Sequence, residues 1–361
     1  MFGLASRLLQ GNKSTVCLAS FNFGNRIASR TACTGLKVAI LGAMGGVGQA
    51  TALMLKQSCW FEEVALNDIK SSKGLAIELN HIDTNSVATS HDGASGTKTA
   101  LKGADIVLIT AGSHRKIGMT RQDLFLSNAK IVAILSRECA IHAPNACICL
   151  ITNPINSVLP IACEAFKRIN RCVDPCKMFG VTTLDVIRAN TYVAEVLQMA
   201  PETVEVPVIC GHSASTMVPI LSHTKPKTEL NTEEVVKISR AIQNAGEEVL
   251  KAKNNTGAST LGMAFAGTRF AVSLAKGLLG HDNVVECAYV MSNLIPDICY
   301  FSTQLQFGPT GVQKNLGIPD LSNFECCLLE TAIPFMKKDI EFGEQFAAEM
   351  AKQGLLTRKK A

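Results

Sequence analysis

The sequence predicts an α/β protein: a doubly wound parallel sheet followed by a second domain of α+β type. Three observations carry this. Short apolar, largely β-branched runs alternate with helical stretches from Lys37 to Val181. A glycine-rich run opens directly after the first of those strands. Past Val181 the strict alternation fades into long helices and two adjoining strand patterns. With 361 residues, 47% of them hydrophobic and 5% aromatic, the chain has material for two sizeable cores.

The organising stretch is KVAILGAMGGVGQ, residues 37 to 49. Val38 to Leu41 reads as a short buried strand, and Gly42, Gly45 and Gly48 form G-x-x-G-x-x-G at the start of a helix. Gly42 permits a tight turn off the strand, Gly45 lets backbone approach a ligand, and Gly48 allows close packing of helix on sheet. The exposed N–H groups of the helix N-terminus then suit a pyrophosphate. A glycine cluster alone also fits a plain strand-turn-helix. Here a second apolar strand, Val64 to Leu66, leads to Asp68, about twenty residues past Gly48, where a carboxylate accepts both hydroxyls of an adenosine ribose. The same charge repels a 2′-phosphate. The pattern is thus Rossmann-type, with NAD rather than NADP as the expected cofactor.

The remaining elements follow in order. Helices are expected over Val47 to Lys56 and near Gly74 to Leu79, with an edge element in the polar region Ser86 to Thr99. Asp105 to Thr110 is a central strand that ends in Ala111-Gly112, and the loop SHRKIGMTR beyond it carries Arg115, Lys116 and Arg121. A helix from about Gln122 to His142 precedes the strand Cys147 to Thr152, which stops at Asn153-Pro154. Ligands of open α/β sheets bind beyond the carboxyl ends of the strands, so Gly42, Asp68, Gly112 and Asn153 belong to one rim and the cationic loop hangs over it. Next come a helix from Leu184 to Met199 and strands at Val204 to Cys210 and Met217 to Leu221. Asn231-x-x-Glu234 and Ser322-x-x-Glu325 are capping boxes, the first opening a helix to about Lys253 and the second the last helix, reaching the C-terminus. Val284 to Val290 and Tyr300 to Phe307 suggest a separate antiparallel sheet. The expected division is a leading segment 1–34, a dinucleotide-binding domain 35–181 and a substrate-binding, catalytic domain 182–361.

Composition narrows the function further. The formal net charge is +5, but Arg7, Lys13, Arg26 and Arg30 supply +4 of it before residue 35, which leaves about +1 for the rest and nothing that recommends nucleic acid. No apolar run approaches the roughly 18 residues that cross a bilayer. The first acidic residue of the chain is Glu62, and residues 1 to 34 are rich in Ser, Thr, Ala and Asn, the composition of a mitochondrial import sequence. MFGLASRLLQ places Arg7 beside an apolar face of Phe2, Ala5 and Leu9; the alternative is a tail without an address. The fourteen cysteines, without a C-x-x-C pair, scatter through apparent core segments, which argues for reduced, buried thiols rather than a disulfide framework. Cys172 and Cys176 lack a nearby histidine or second pair, so no metal is expected.

Three groups carry candidate chemistry. Asp185 and Arg188 lie three residues apart at a helix start, on one face; they read either as a surface ion pair or, given apolar Val181, Leu184, Val186 and Ile187, as charges that are buried or face a cleft. His212 follows a strand and Gly211, which is the setting of an ordinary turn residue. A histidine that meets a buried carboxylate is a general base, because the carboxylate selects its tautomer and stabilises its imidazolium. Arg115, Lys116 and Arg121 are either solvated loop charges or carboxylate readers, since arginine suits bidentate recognition.

The motifs GAMGGVGQ, RKIGMTR, ITNPIN, FGVTTLDVIRAN, GHS and KNLGI, in this order over roughly Lys37 to Lys352, resemble those of the mitochondrial-type NAD-dependent malate dehydrogenases of the lactate/malate dehydrogenase family. By this resemblance His212 is the proton acceptor and Asp185 its partner, and Arg188 grips the carboxylate beside the reacting carbon. Arg115 and Arg121 contact the hydroxyl and the distal carboxylate, and Asn153 orients substrate and nicotinamide. Asn128 and Met263 join Gly42, Gly45, Gly48, Asp68 and Asn153 around NAD. The implied reaction interconverts malate and oxaloacetate in the mitochondrial matrix, in a homodimer. Rival readings are a relaxed 2-hydroxyacid dehydrogenase and an idle NAD-binding scaffold. The chain departs from the pattern at Ile117, where proline is usual, at Cys210, where glycine commonly precedes Gly-His, at Ala214-Ser215-Thr216 in place of a Gly-Lys-Thr-like run, and at Gly262, where serine is frequent.

Overall fold

The computed structural model describes residues 35–113, 121–254 and 257–357. The expected import segment therefore lies outside the described residues, as do Arg115, Lys116 and Ile117. The first half runs β1 (Lys37–Leu41), α1 (Gly46–Gln57), β2 (Glu63–Asp68), α2 (Lys73–Asn80), β3 (Val87–Asp92), α3 (Gly93–Leu101), β4 (Ile106–Ile109), α4 (Arg121–His142), β5 (Cys147–Leu150), α5 (Ile155–Asn170) and β6 (Met178–Val181). All its strand pairs are parallel, in the order β3-β2-β1-β4-β5-β6. This is the doubly wound arrangement, with the order reversing beside β1.

Alternation along each strand explains why both faces are covered. Ala39 and Leu41 of β1, with Val107, Ile109, Ile148 and Leu150, point into one cluster with Val158 and Leu159 of α5. Val38 and Ile40, with Ile106, Leu108, Cys147 and Cys149, point into the other, with Ala52 and Leu55 of α1. Cysteines at 139, 147, 149, 163, 210 and 287 are buried free thiols, as expected, and burial pushes Cys147, Cys163, Cys210 and Cys287 up to about 12.

The second half runs α6 (Thr183–Leu197), β7 (Val208–Cys210), β8 (Met217–Pro219), α7 (Thr232–Ala252), α8 (Thr260–Leu278), β9 (Val285–Ile295), β10 (Ile298–Gly308), β11 (Gly311–Asn315) and α9 (Asn323–Lys352). Both expected capping boxes form, at Asn231 and Ser322. The separate antiparallel sheet does not. β9 and β10 do pair antiparallel, but β9 also pairs with β6 through Gly180↔Tyr289 and Val181↔Ala288, so one eleven-stranded sheet runs through both halves. An unpaired edge at β6 would have left buried N–H and C=O groups unsatisfied, and β9 meets them. β7 is shorter than expected because Pro207 has no N–H for the ladder, although its carbonyl still accepts from Ile220 N at 2.8 Å. Joining the sheets sets β7, and the turn after it, on the same structure that carries the rim of β1, β2, β4 and β5.

Candidate active site

The rim is built where four parallel strands end. Gly42 has φ +102°, and a Cβ there would collide with the backbone of Ala111. A Cβ at Gly48 would collide with the carbonyl oxygen of Gly42 and reach Ala43 Cα and C at 2.8 and 2.9 Å. At Gly45 the nearest atom is Gly42 O at 3.4 Å, so that side of the turn is open. Gly45 caps α1 without any side-chain hydrogen bond, and the first turn of α1 carries no acidic residue. Its N–H groups therefore remain for an anion. Asp68 accepts from Met44 N at 2.9 Å and from Lys70 N at 3.0 Å, which ties the end of β2 to the glycine turn. Donors, an open approach and a carboxylate at the end of β2 together fit the diphosphate and adenosine of a dinucleotide.

Across the rim, Asn128 accepts from Ser113 N at 2.7 Å and donates to Ser113 O at 3.1 Å and Asn153 O at 2.8 Å. It braces the turns after β4 and β5. Asn153 itself is exposed, and among the described residues its Oδ1 takes one bond, from Ile155 N at 3.4 Å. Met263 is buried in the same cluster as Ile151 and Leu184, below the rim. Gly262 lies beside it; a Cβ there would stand 3.0 Å from Ser259 Oγ and 3.3 Å from Leu184 Cδ1. Arg121 begins α4, at the edge of the described residues.

Asp185 falls in the first turn of α6, where a negative charge is favoured by the helix dipole. Its Oδ2 lies 2.6 Å from Nδ1 of His212. The two side chains are 1% and 9% exposed, so water screens the pair little. With Nδ1–H donated to the carboxylate, the neutral tautomer leaves Nε2 as the bare ring nitrogen, the arrangement of a general base. Asp185 Oδ1 is buried with no hydrogen-bond partner among the described residues.

Arg188 sits one turn further along α6, half-buried, and has no hydrogen bond among the described residues. Burial pushes its guanidinium down from its ordinary value, against the opposing pull of Asp185, Tyr192 and Glu248. A partly dehydrated guanidinium in this state gains most from a carboxylate that arrives with a ligand.

The turn carrying His212 contains groups to which sequence reasoning assigned no role. Asn156 accepts from His212 N at 2.9 Å and donates to Thr216 Oγ1 at 3.1 Å and Asp339 Oδ2 at 3.0 Å. The only signal in the sequence was its place in ITNPIN, three residues beyond Asn153. Cys210 has φ +79° although it bears a side chain, which accounts for glycine being the usual residue there. Among the described residues there is no cluster able to hold a metal ion and no helix long and apolar enough to cross a membrane.

A doubly wound dinucleotide-binding sheet with a buried carboxylate–histidine pair set on its continuation defines an NAD-linked oxidoreductase. Residues 36–180 match the family model described as lactate/malate dehydrogenase, NAD binding domain, and residues 182–347 that of the lactate/malate dehydrogenase alpha/beta C-terminal domain. The chain belongs to the lactate/malate dehydrogenase family. It is similar to the mitochondrial malate dehydrogenase of Felis catus, 45% identical over 325 residues, which is 90% of this chain and 96% of that one. The human mitochondrial malate dehydrogenase is 46% identical over 321 residues, 89% of this chain and 94% of its own. Among solved structures, Cryptosporidium parvum malate dehydrogenase superposes with TM-score 0.74 at 23% identity, covering 86% of this chain and 99% of that one. Eimeria maxima lactate dehydrogenase, solved with NADH and oxamate, gives 0.73 at 22%, covering 91% and 98%. These two similarities concern the fold alone.

Proposed function

We propose that this protein is an NAD-dependent malate dehydrogenase of the mitochondrial matrix, interconverting (S)-malate and oxaloacetate as a homodimer. The observation that carries the reading is the 2.6 Å contact between His212 Nδ1 and the buried Asp185. Residues 35–181 bind the dinucleotide, 182–361 bind and transform the substrate, and 1–34 direct import. NAD, when bound, supplies the acceptor of the C2 hydride. His212 Nε2 takes the hydroxyl proton of malate, and Asp185 stabilises the imidazolium so formed. Arg188 holds the carboxylate beside C2, while Arg115 and Arg121 hold the hydroxyl oxygen and the distal carboxylate. Asn153, exposed at the rim, orients substrate and nicotinamide. Gly42, Gly45, Gly48, Asp68, Asn128 and Met263 form the cofactor cradle, and Asp68 selects against a 2′-phosphate by charge. Support for a dimer comes from α8, which leaves Leu261 70% and Phe265 53% exposed while packing on both α1 and α6.

The test is NADH oxidation by purified residues 35 to 361 with oxaloacetate, pyruvate and phenylpyruvate, compared by kcat/KM. A preference for oxaloacetate of about a thousandfold is expected from a guanidinium that would otherwise be enclosed without a partner. Arg115→Gln should then cost oxaloacetate far more than pyruvate. Comparable rates on all three would make the protein a relaxed 2-hydroxyacid dehydrogenase, and firm NADH binding without turnover would make it a scaffold.

A further inference from the structure

We infer that Asn156 is a positioning residue that holds the catalytic histidine at its working height, by clipping the backbone of His212 to the start of α5 and to the C-terminal helix α9. The inference rests on His212 being the proton acceptor.

The imidazole of His212 is tethered at one end only by Asp185, through Nδ1. A single hydrogen bond fixes a distance and leaves the ring free to slide with its backbone. The second tether is the bond from His212 N to Asn156 Oδ1 at 2.9 Å. Asn156 is 2% exposed, and its amide is fully committed. Oδ1 accepts from the histidine, and the two hydrogens of Nδ2 go to Thr216 Oγ1 and Asp339 Oδ2.

Each of those partners is itself fixed. Thr216 closes the turn that carries the histidine: its carbonyl accepts from Gly211 N at 2.9 Å, and its Oγ1 accepts from Ser213 N at 3.0 Å and lies 2.7 Å from Ser213 Oγ. Asp339 belongs to α9, whose Met336 packs so closely on Gly211 that a Cβ at that glycine would strike Sδ. One turn beyond Asp339, Gly343 lets α9 lie directly on the backbone of Ser157, with Ser157 C 3.0 Å from where a Cβ would stand. The Tyr289 hydroxyl donates to Asn156 O at 3.3 Å from the sheet below. α9 is therefore a backing plate, and Asn156 transmits its position to the histidine. Because Asn156 lies three residues after Asn153, one segment carries both the rim amide and the clip on the backbone of His212. Asn156 is buried and its side-chain bonds go to protein groups, so its effect is on alignment; a displacement of about 1 Å at a reacting group costs about a hundredfold in rate.

The test uses three variants of the full enzyme, with His212→Asn as reference. Asn156→Ala should lower kcat for oxaloacetate reduction about ten- to a hundredfold, with KM and the NADH dissociation constant changed less than about threefold. Asn156→Asp should also be slow, because its second carboxylate oxygen faces Asp339 Oδ2. Combining Asn156→Asp with Asp339→Asn restores the order of donor and acceptor, and should recover at least tenfold of the kcat lost by the single change. A buried asparagine with a merely structural role would lose NADH binding and kcat together with thermal stability, and that outcome overturns the inference. So does kcat within threefold of the parent in Asn156→Ala, or a double variant no faster than Asn156→Asp. Should His212→Asn keep its turnover, the reading of the histidine fails first; a dead His212→Asn beside an active Asn156→Ala removes the Asn156 inference alone.

Discussion

Replacing Asp185 with asparagine isolates the charge of the carboxylate from its shape. The side chains are close to isosteric, and an amide oxygen still accepts from Nδ1, so the hydrogen bond of 2.6 Å survives in weakened form. What is lost is attraction for the imidazolium. Opposite charges whose centres lie about 4 Å apart attract by about 4 kcal/mol at an effective dielectric of about 20, a value suited to a pair as little screened as this one. Each 1.36 kcal/mol is about tenfold in rate. Part of the interaction persists in the neutral bond, so kcat should fall about 10² rather than by the full factor of about 10³. Stability should move the other way or not at all. Asp185 buries an ionised carboxylate whose Oδ1 has no hydrogen-bond partner among the described residues, and a neutral amide removes that desolvation cost. The assay is steady-state NADH oxidation at saturating oxaloacetate, with NADH fluorescence titration and a thermal melt on the same preparation. A kcat within tenfold of the parent would show that the carboxylate does not serve the reaction. A melting point lowered by more than about 5 °C would show that Asp185 is mainly a structural anchor.

Three further changes probe the cradle and the core. Gly45→Ala should fold normally, since the new methyl meets only Gly42 O at 3.4 Å, yet weaken NADH binding by standing in the diphosphate's approach; Gly48→Ala should lower the urea midpoint as well, because backbone surrounds its Cβ position. Equal stability losses in the two would refute the assignment. Lys56 is 1% exposed, and its ammonium donates to Thr84 Oγ1 at 2.6 Å and to the carbonyls of Ser86, Thr84 and Ile82. Lys56→Met should therefore cost about 2 to 4 kcal/mol in urea unfolding by stranding those acceptors, with kcat unchanged; a loss below about 1 kcal/mol would mean that they find other partners.

The parts of this protein that were legible in the sequence are those governed by local chemistry. Residues Val38 to Leu41 read as a buried strand and form one, and the glycines after them fit the tight turn that Gly42 makes at φ +102°. The capping boxes at Asn231 and Ser322 are decided within four residues, and both form. Asp185 and His212 were nameable through the resemblance of FGVTTLDVIRAN and GHS to the family's motifs, although only the fold brings positions 27 residues apart to 2.6 Å.

Tertiary structure decided what depends on partners distant in the chain. Nothing in Val284 to Val290 tells whether its outer edge meets water or the edge of β6; the pairing with Val181 does, and it turns two expected sheets into one. Lys56, on its own, reads as a surface charge, and only the carbonyls of the 82–86 segment make its burial tolerable. The same holds for Asn156, whose amide is unremarkable until a turn 56 residues later and a helix 183 residues later meet it. Hydrophobic period and turn chemistry are properties of neighbours in sequence. Hydrogen-bond satisfaction of a buried polar group is a property of neighbours in space, and that is where the alignment of this site is held.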